Sequence, residues 1–130
     1  MAKAPAQQDI TLETLNQIIW KHLEARDWHQ NASRGIAISL ALEAGELLEH
    51  YQWGDQPVGG KDAVGEELAD VLIYAFQIAQ QNDIDIAEHI KKKLEKAAAK
   101  YPAEAFKGKK GKEHKDAWLT HKMNYKKEGL

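Results

Sequence analysis

The sequence of 130 residues contains no cysteine, and this absence excludes disulfide bonds and thiolate chemistry. No apolar run approaches the ~20 residues that a helix needs to cross a bilayer. The N-terminal segment MAKAPAQQD also lacks the apolar core of a secretion signal. These absences together favour a cytoplasmic protein. The length is that of one ordinary domain.

Charge of both signs is plentiful, but it is unevenly distributed. Residues 1–102 carry 10 lysines and arginines against 16 acids, whereas residues 103–130 carry 8 lysines against 4 acids. We therefore expect a folded acidic domain over residues 1–102 and a basic C-terminal tail over residues 103–130. A solvated, mobile terminus is the simpler interpretation of the tail, and binding of phosphates or nucleic acid is the alternative.

Strand-like alternation is absent, so the predicted fold class is all-α, with four helices arranged as a bundle. The expected helix starts lie at candidate capping residues: Thr11, then Asn31 or Ser33, then Asp62, and finally Asp85 with Glu88. The first three helices are expected to end near residues 27, 51 and 81. The fourth is expected to end before KYP (residues 100–102), because the residue before a proline avoids the α region.

Two further segments are predicted to be irregular. GDQPVGG, residues 54–60, is expected to be the loop between the second and third helices. The run KGKKGKEHKDA, residues 107–117, contains five lysines and two glycines and is expected to be loop-like or disordered. A short amphipathic turn is predicted for the residues after it, 117–125.

The second and third helices carry carboxylates inside segments that are otherwise apolar, LALEAGELLEHYQW (40–53) and VGEELADVLIYAFQIA (64–79). In the third helix apolar side chains occupy nearly the whole circumference, which is typical of a helix enclosed by protein. Four helices of one chain do not surround two such helices well. We therefore expect a homo-oligomer that buries both helices against a partner.

The acids in these two helices come in pairs with helical spacing. Glu43 and Glu46 are three residues apart and share a helix face, and so do Glu67 and Asp70. Antiparallel packing of the two helices would bring all four carboxylates together. A cluster of four carboxylates requires a compensating cation, because removing each anion from water costs several kcal/mol.

No nearby side chain of the chain offers that cation. Lysine and arginine are absent between residues 39 and 61 and between residues 62 and 90. Hard carboxylate oxygens suit Mg²⁺ or Mn²⁺, so a metal site is one interpretation, and ordinary solvent-facing acids are the other. A di-iron site is disfavoured, because none of the six histidines has a glutamate three residues before it.

The pattern EAGE (43–46), a spacer of 20 residues and ELAD (67–70) resembles the E-x-x-E…E-x-x-D signature of the MazG-like, all-α nucleoside triphosphate pyrophosphohydrolases. The resemblance covers roughly residues 10–102. It is most similar to the dCTP pyrophosphatase branch in four blocks: RDW (26–28), GELLEHYQW (45–53), EELADVLIY (66–74) and KYP (100–102).

The resemblance implies Mg²⁺-dependent hydrolysis of a nucleoside triphosphate to the monophosphate and pyrophosphate, with Mn²⁺ as a possible substitute. It implies dCTP or a modified dCTP as substrate, and control of the nucleotide pool as the role. Glu43, Glu46, Glu67 and Asp70 correspond to the metal ligands, and Glu66 to a residue that orients or deprotonates the attacking water. A homodimer and a homotetramer are both compatible with the resemblance.

The resemblance also implies substrate contacts, from Trp28 and Trp53 to the base, from Tyr74 to the sugar or a phosphate, and from Lys93 and Lys100 to the phosphates. Core packing remains the alternative for Trp28 and Trp53, and it is the interpretation of Trp20, which has no counterpart.

Ala97 departs from the asparagine that many relatives carry, and this leaves the base preference open. A broader dNTP or dUTP pyrophosphatase is therefore a second hypothesis. A non-enzymatic helical module whose tail binds nucleic acid is a third, which the acidity of the folded part disfavours. No nucleic-acid partner and no membrane association are expected.

Overall fold

The computed structural model describes residues 9–128, and within these residues every regular element is helical. The elements are α1 (Leu12–Glu24), a 3₁₀ turn (Trp28–Gln30), α2 (Ser33–Glu49), α3 (Gly60–Gln81), α4 (Ile86–Lys100), α5 (Ala103–Phe106) and α6 (Gly111–Lys127). The all-α class is confirmed. The helices number six rather than four, because the segment after residue 102 forms α5 and α6.

The chain forms two compact units, one up to Ile86 and one from Ala87 onward. The first unit contains α1, α2 and α3, and the second contains nearly all of α4 together with α5 and α6. The predicted division into a domain and a tail at residue 102 stays a prediction. None of the helices within residues 9–128 is both long and apolar enough to cross a membrane. Cytoplasmic location stays a prediction.

The start of α1 is as predicted. Thr11 is the N-cap, with extended backbone angles, and its hydroxyl accepts a hydrogen bond of 3.1 Å from the N–H of Thr14. The helix ends at Glu24 rather than near Asp27, because Asp27 takes a φ of 55° just before the 3₁₀ turn. The start of α4 also agrees with its prediction, since the helix begins directly after Asp85.

Two other predicted caps are wrong. Ala32 holds the N-cap position of α2, and no side chain caps this helix; the hydroxyl of Ser33 instead donates to Oε1 of Gln81 at 3.1 Å. The third helix begins at Gly60, so Asp62 lies in its first turn rather than at its cap. An acid in the first turn still stabilises the helix through the helix dipole.

The prediction of a loop-like segment at 107–117 and a short turn at 117–125 is also wrong, since α6 runs unbroken over Gly111–Lys127. Aromatic contacts in the second unit explain the difference. The ring of Phe106 lies 5.4 Å from that of His114 and 5.6 Å from that of His121, and Tyr101 stacks on Trp118 at 6.4 Å. Lysine is also a good helix former, so a lysine-rich composition does not oppose a helix once one face packs.

The core of the first unit lies between α1 and α3. Ile19, Leu23 and Phe76 form the buried cluster, and Trp20 packs against it, as predicted. Glutamine side chains of α3 add polar ties: Gln77 donates to the carbonyl of Trp28 at 2.9 Å and Gln80 to that of Asn16 at 2.7 Å. Because these carbonyls belong to the 3₁₀ turn and to α1, the two hydrogen bonds fix how α3 packs against both elements.

Much of the apolar surface of α2 and α3 remains uncovered by the first unit. Only Phe76, Gln77 and Ala79 of α3 are buried. Six large apolar side chains of the two helices are exposed: Ile38, Leu42, Leu48, Leu68, Leu72 and Ile73. Exposed apolar side chains in this number are typical of surfaces that a partner covers, but the homo-oligomer stays a prediction.

Candidate metal centre

Helices α2 and α3 pack side by side in opposite directions. Ser33 at the start of α2 contacts Gln81 at the end of α3, and His50 just after α2 lies near Glu67 in the second turn of α3. This is the antiparallel arrangement that the sequence predicts across the loop. It places the acidic faces of the two helices opposite each other.

Three of the four predicted acids converge closely. Glu43, Glu46 and Glu67 each offer one carboxylate oxygen, and these oxygens all lie within 4.8 Å of one another. Asp70 lies near enough for its negative charge to act on Glu43. Oε2 of Glu43 is buried and has no hydrogen-bond partner within the described residues. An unpartnered buried carboxylate oxygen is costly unless a further group satisfies it.

The close approach of the carboxylates also changes the pKa of Glu43. The pKa of Glu43 is raised from 4.5 to about 7, first by a hydrogen bond shared with Glu46, then by burial, and then by the negative charges of Glu46, Asp70 and Glu67. Without a cation, Glu43 therefore binds a proton near neutral pH. A divalent cation would take the place of that proton, so the donor set fits a hard metal ion.

His50 lies next to the cluster. The sequence indicated this position, one turn after Glu46, but it did not indicate a role for the side chain. Its Nε2 lies 3.7 Å from Oε1 of Glu67, and its Nδ1 accepts a hydrogen bond of 3.2 Å from the N–H of Gly59. These two contacts together fix the orientation of the imidazole ring beside the cluster.

Gly59 makes this position of His50 possible. A Cβ at residue 59 would lie 2.5 Å from Cε1 and 2.7 Å from Nδ1 of His50, closer than real Cβ contacts come. The sequence signal for this contact was weak: a histidine one turn after Glu46 and a glycine pair at the end of the loop. Only the fold shows that the two meet.

A cavity of about 380 Å³ adjoins the acids on the side of the 3₁₀ turn, and its lining includes Trp28, Asp70 and Tyr74. Trp28 is 50% exposed, which fits a ring available for contact better than a core residue. The guanidinium of Arg26 lies 5.7 Å from the centre of its ring. The fold thus brings one predicted base contact, one predicted metal ligand and one predicted sugar or phosphate contact to the same cavity.

The other predicted site residues lie elsewhere. Trp53, in the loop after α2, is 83% exposed and does not line this cavity. Glu66 is exposed on α3, one turn before Asp70. Lys93 and Lys100 belong to α4 in the second unit, where they line a separate cavity of about 290 Å³.

Known proteins are similar to the part of the chain that carries this cluster. The model of the MazG-like family matches residues 38–115. The chain is 32% identical to dCTP pyrophosphatase 1 of Mus musculus over 107 residues, 75% of this chain and 63% of that protein. It is 31% identical to dCTP pyrophosphatase 1 of Homo sapiens over 102 residues, 72% of this chain and 60% of that protein. The chain thus spans less than two thirds of the length of these curated relatives.

A solved structure agrees in fold. The crystal structure of a pyrophosphatase from Archaeoglobus fulgidus superposes with a TM-score of 0.62 at 31% sequence identity. The match covers 76% of this chain and 99% of that chain. The similarity therefore extends over nearly the whole of that smaller protein.

Proposed function

The chain belongs to the MazG-like family, and we propose that it hydrolyses dCTP or a modified dCTP to the monophosphate and pyrophosphate, with Mg²⁺. The observation that carries the proposal is the convergence of the Glu43, Glu46 and Glu67 carboxylates within 4.8 Å, with Oε2 of Glu43 buried and unpartnered. The names of the relatives and of the solved pyrophosphatase support the reaction class.

The metal would be held by Glu43, Glu46 and Glu67 together with Asp70. When bound, such an ion supplies positive charge to the phosphates and Lewis acidity toward water. Mg²⁺ suits carboxylate oxygens, and Mn²⁺ has the same preference. A cation held by these carboxylates would neutralise the cluster in place of the proton that Glu43 holds near neutral pH.

Each of the other predicted site residues has its own role in the proposed reaction. Glu66 takes a proton from the attacking water; the water oxygen then bonds to the α-phosphorus, and the bond from that phosphorus to the bridging oxygen breaks to release pyrophosphate. Trp28 stacks on the base from the cavity that it shares with Tyr74, a contact worth ~1–3 kcal/mol. Tyr74 donates its hydroxyl to the sugar or a phosphate, Trp53 adds a second base contact, and Lys93 and Lys100 hold the phosphates.

A broader dNTP or dUTP pyrophosphatase is the second candidate. The observation that favours it is Ala97, whose methyl group lines the α4 cavity without offering a hydrogen bond. The uncovered apolar side chains of α2 and α3 support a homodimer or homotetramer as the working assembly.

The proposal is tested by incubating the full chain with each common dNTP and Mg²⁺ and measuring pyrophosphate release. We expect dCTP to be the preferred substrate. Comparable rates with several bases would select the broader enzyme. Release of pyrophosphate from none of them would contradict the proposed reaction.

A further inference from the structure

Gln77 is a deeply buried polar residue beside the cavity that contains Trp28. Within residues 9–128 it is the one buried polar or charged residue, with 2% of its surface exposed. It nevertheless lines the cavity of about 380 Å³ that Trp28, Tyr74 and Asp70 also line. Because an unpaired polar atom is costly when it is buried, both ends of this side-chain amide need hydrogen-bond partners.

One end of the amide already has its partner. Nε2 of Gln77 donates to the backbone carbonyl of Trp28 at 2.9 Å. A carbonyl oxygen only accepts, so the amide nitrogen must face Trp28, and this fixes where the amide oxygen lies. Within the described residues Oε1 takes part in no hydrogen bond, yet it is not one of the buried unpartnered atoms. This oxygen is therefore available to a molecule in the cavity.

The other polar side chains of the lining differ from Gln77 in their freedom. Most of them can present either a donor or an acceptor, since hydroxyls rotate, an exposed amide turns over and an imidazole has two tautomers: Ser39, Tyr74, Asn31 and His22. Asp70 only accepts, but the proposed function assigns it to the metal. Gln77 cannot turn over without losing its hydrogen bond, so it is a fixed acceptor that is free for a base.

The position of Gln77 on α3 also suits a contact with the base. Asp70, Tyr74 and Gln77 follow one another at four and three residues, so they share one helix face. The proposed function places the metal at Asp70 and the sugar or a phosphate at Tyr74. Gln77 lies about 10 Å along the helix axis from Asp70. The three side chains thus follow the order of phosphate, sugar and base in a nucleotide.

We propose that Gln77 determines the base preference of the site, because its Oε1 accepts a hydrogen bond from the exocyclic amine of a 4-aminopyrimidine, the cytosine type of base. A 4-oxopyrimidine, the uracil type, would turn a carbonyl oxygen toward Oε1, and the two facing acceptors would both stay unpaired. That a base occupies this cavity rests on the proposed function. The direction of the preference rests on the fixed amide of Gln77.

The direct test is calorimetric titration of dCMP and of dUMP into the full-length protein in the presence of Mg²⁺. We expect the unaltered chain to bind dCMP about tenfold more tightly than dUMP. Gln77→Met keeps the length of the side chain but removes the acceptor, so the two affinities should then agree within about twofold. A merely structural role of Gln77 would weaken both nucleotides equally and leave their ratio unchanged.

Gln80→Met is the matched control. Nε2 of Gln80 donates to the carbonyl of Asn16 at 2.7 Å, so this glutamine also joins α3 to a backbone carbonyl, but it does not line the cavity. We expect Gln80→Met to keep the tenfold preference for dCMP. Circular dichroism reports whether each variant is folded.

A substrate analogue tests the amine without any substitution in the protein. The 2-pyrimidinone deoxynucleoside triphosphate carries a hydrogen atom where dCTP carries the amine, and it adds no bulk. We expect the unaltered chain to hydrolyse it with kcat/KM about tenfold below that of dCTP. In Gln77→Met the two values should agree within about twofold, because the partner of the amine is absent.

The possible outcomes separate this proposal from the proposed function. A preference for dCMP that depends on Gln77, in a protein that releases pyrophosphate from no nucleotide, would support the role of Gln77 and contradict the proposed function. Hydrolysis of dCTP and of the analogue at equal kcat/KM by the unaltered chain would overturn the role of Gln77. A preference for dCMP that Gln77→Met retains, or binding of neither nucleotide, would overturn it as well.

Discussion

The two units of the molecule have opposite charge and different packing. Residues up to Ile86 carry 5 lysines and arginines against 14 acids, whereas residues from Ala87 carry 13 lysines against 6 acids. The acidic unit has a buried apolar cluster. The helices of the basic unit contain no fully buried residue among those described, and aromatic and cation–aromatic contacts hold them together.

In the proposed function this difference separates the two kinds of charged side chain that a phosphate substrate needs. The carboxylates that suit a metal come from α2 and α3, and the ammonium groups that suit phosphates come from α4. A metal site needs ligands fixed to within fractions of an ångström, so it benefits from helices tied to a packed core. Ammonium groups on flexible stems bind phosphate as point charges and tolerate a looser framework.

The largest expected effect concerns the stability of the two units. Phe76 is 7% exposed at the centre of the first unit, so Phe76→Ala should lower the free energy of unfolding by about 3–5 kcal/mol. Trp118 is 38% exposed in the second unit, and Trp118→Ala should cost about 1–2 kcal/mol. Urea unfolding followed by circular dichroism measures both. Equal losses would contradict the contrast in packing.

The next comparison is between an acid of the first unit and a lysine of the second. Glu46→Gln removes a ligand of the proposed metal and should lower kcat at least ~100-fold, since even outer-shell substitutions cost 10–100-fold. Lys93→Ala should act mainly on KM, about tenfold, because it removes binding rather than chemistry. Steady-state kinetics resolve the two patterns, and Glu13→Gln on α1 is the matched control. A Glu46→Gln variant with near-normal kcat would remove Glu46 from the site.

A smaller effect is expected at Gly59. A Cβ there would collide with the imidazole of His50, so Gly59→Ala should displace His50 from Glu67 and weaken Mn²⁺ binding about tenfold. Gly35→Ala on α2 is the control, because a Cβ at residue 35 meets nothing within 4 Å. Calorimetric Mn²⁺ titration measures both variants. Equal affinities would show that His50 does not support the cluster.

The smallest expected effect is a pH dependence of the metal-free protein. The pKa of Glu43 is raised from 4.5 to about 7, so the folded state holds a proton that the unfolded state releases at lower pH. Stability should therefore fall as pH rises from about 4.5 to about 7, and Glu43→Gln should remove this slope. Thermal unfolding across that pH range measures it. A flat profile in the unaltered chain would contradict the coupling within the cluster.

The sequence predicted the four acids and their antiparallel helices because both follow from helical spacing and an intervening loop. It did not predict α6, because the glycines and lysines of residues 107–117 are typical of an irregular segment. The contacts that stabilise this helix, Phe106 with His114 and Tyr101 with Trp118, become apparent only in the fold. Contacts between distant segments, such as Gly59 with His50 or Tyr125 with Lys100, have no local pattern. Such contacts can be identified only from the three-dimensional structure.

If the carboxylates of α2 and α3 form a divalent metal centre, Mn²⁺ should bind there, and electron paramagnetic resonance measures this binding. Bound Mn²⁺ loses the sharp signal of the free ion, so the titration counts occupied sites without requiring turnover. We predict binding by the unaltered chain and by Glu13→Gln, and its loss in Glu46→Gln and in Asp70→Asn. Equal Mn²⁺ binding by all four proteins, or binding by none, would contradict a metal centre at these carboxylates.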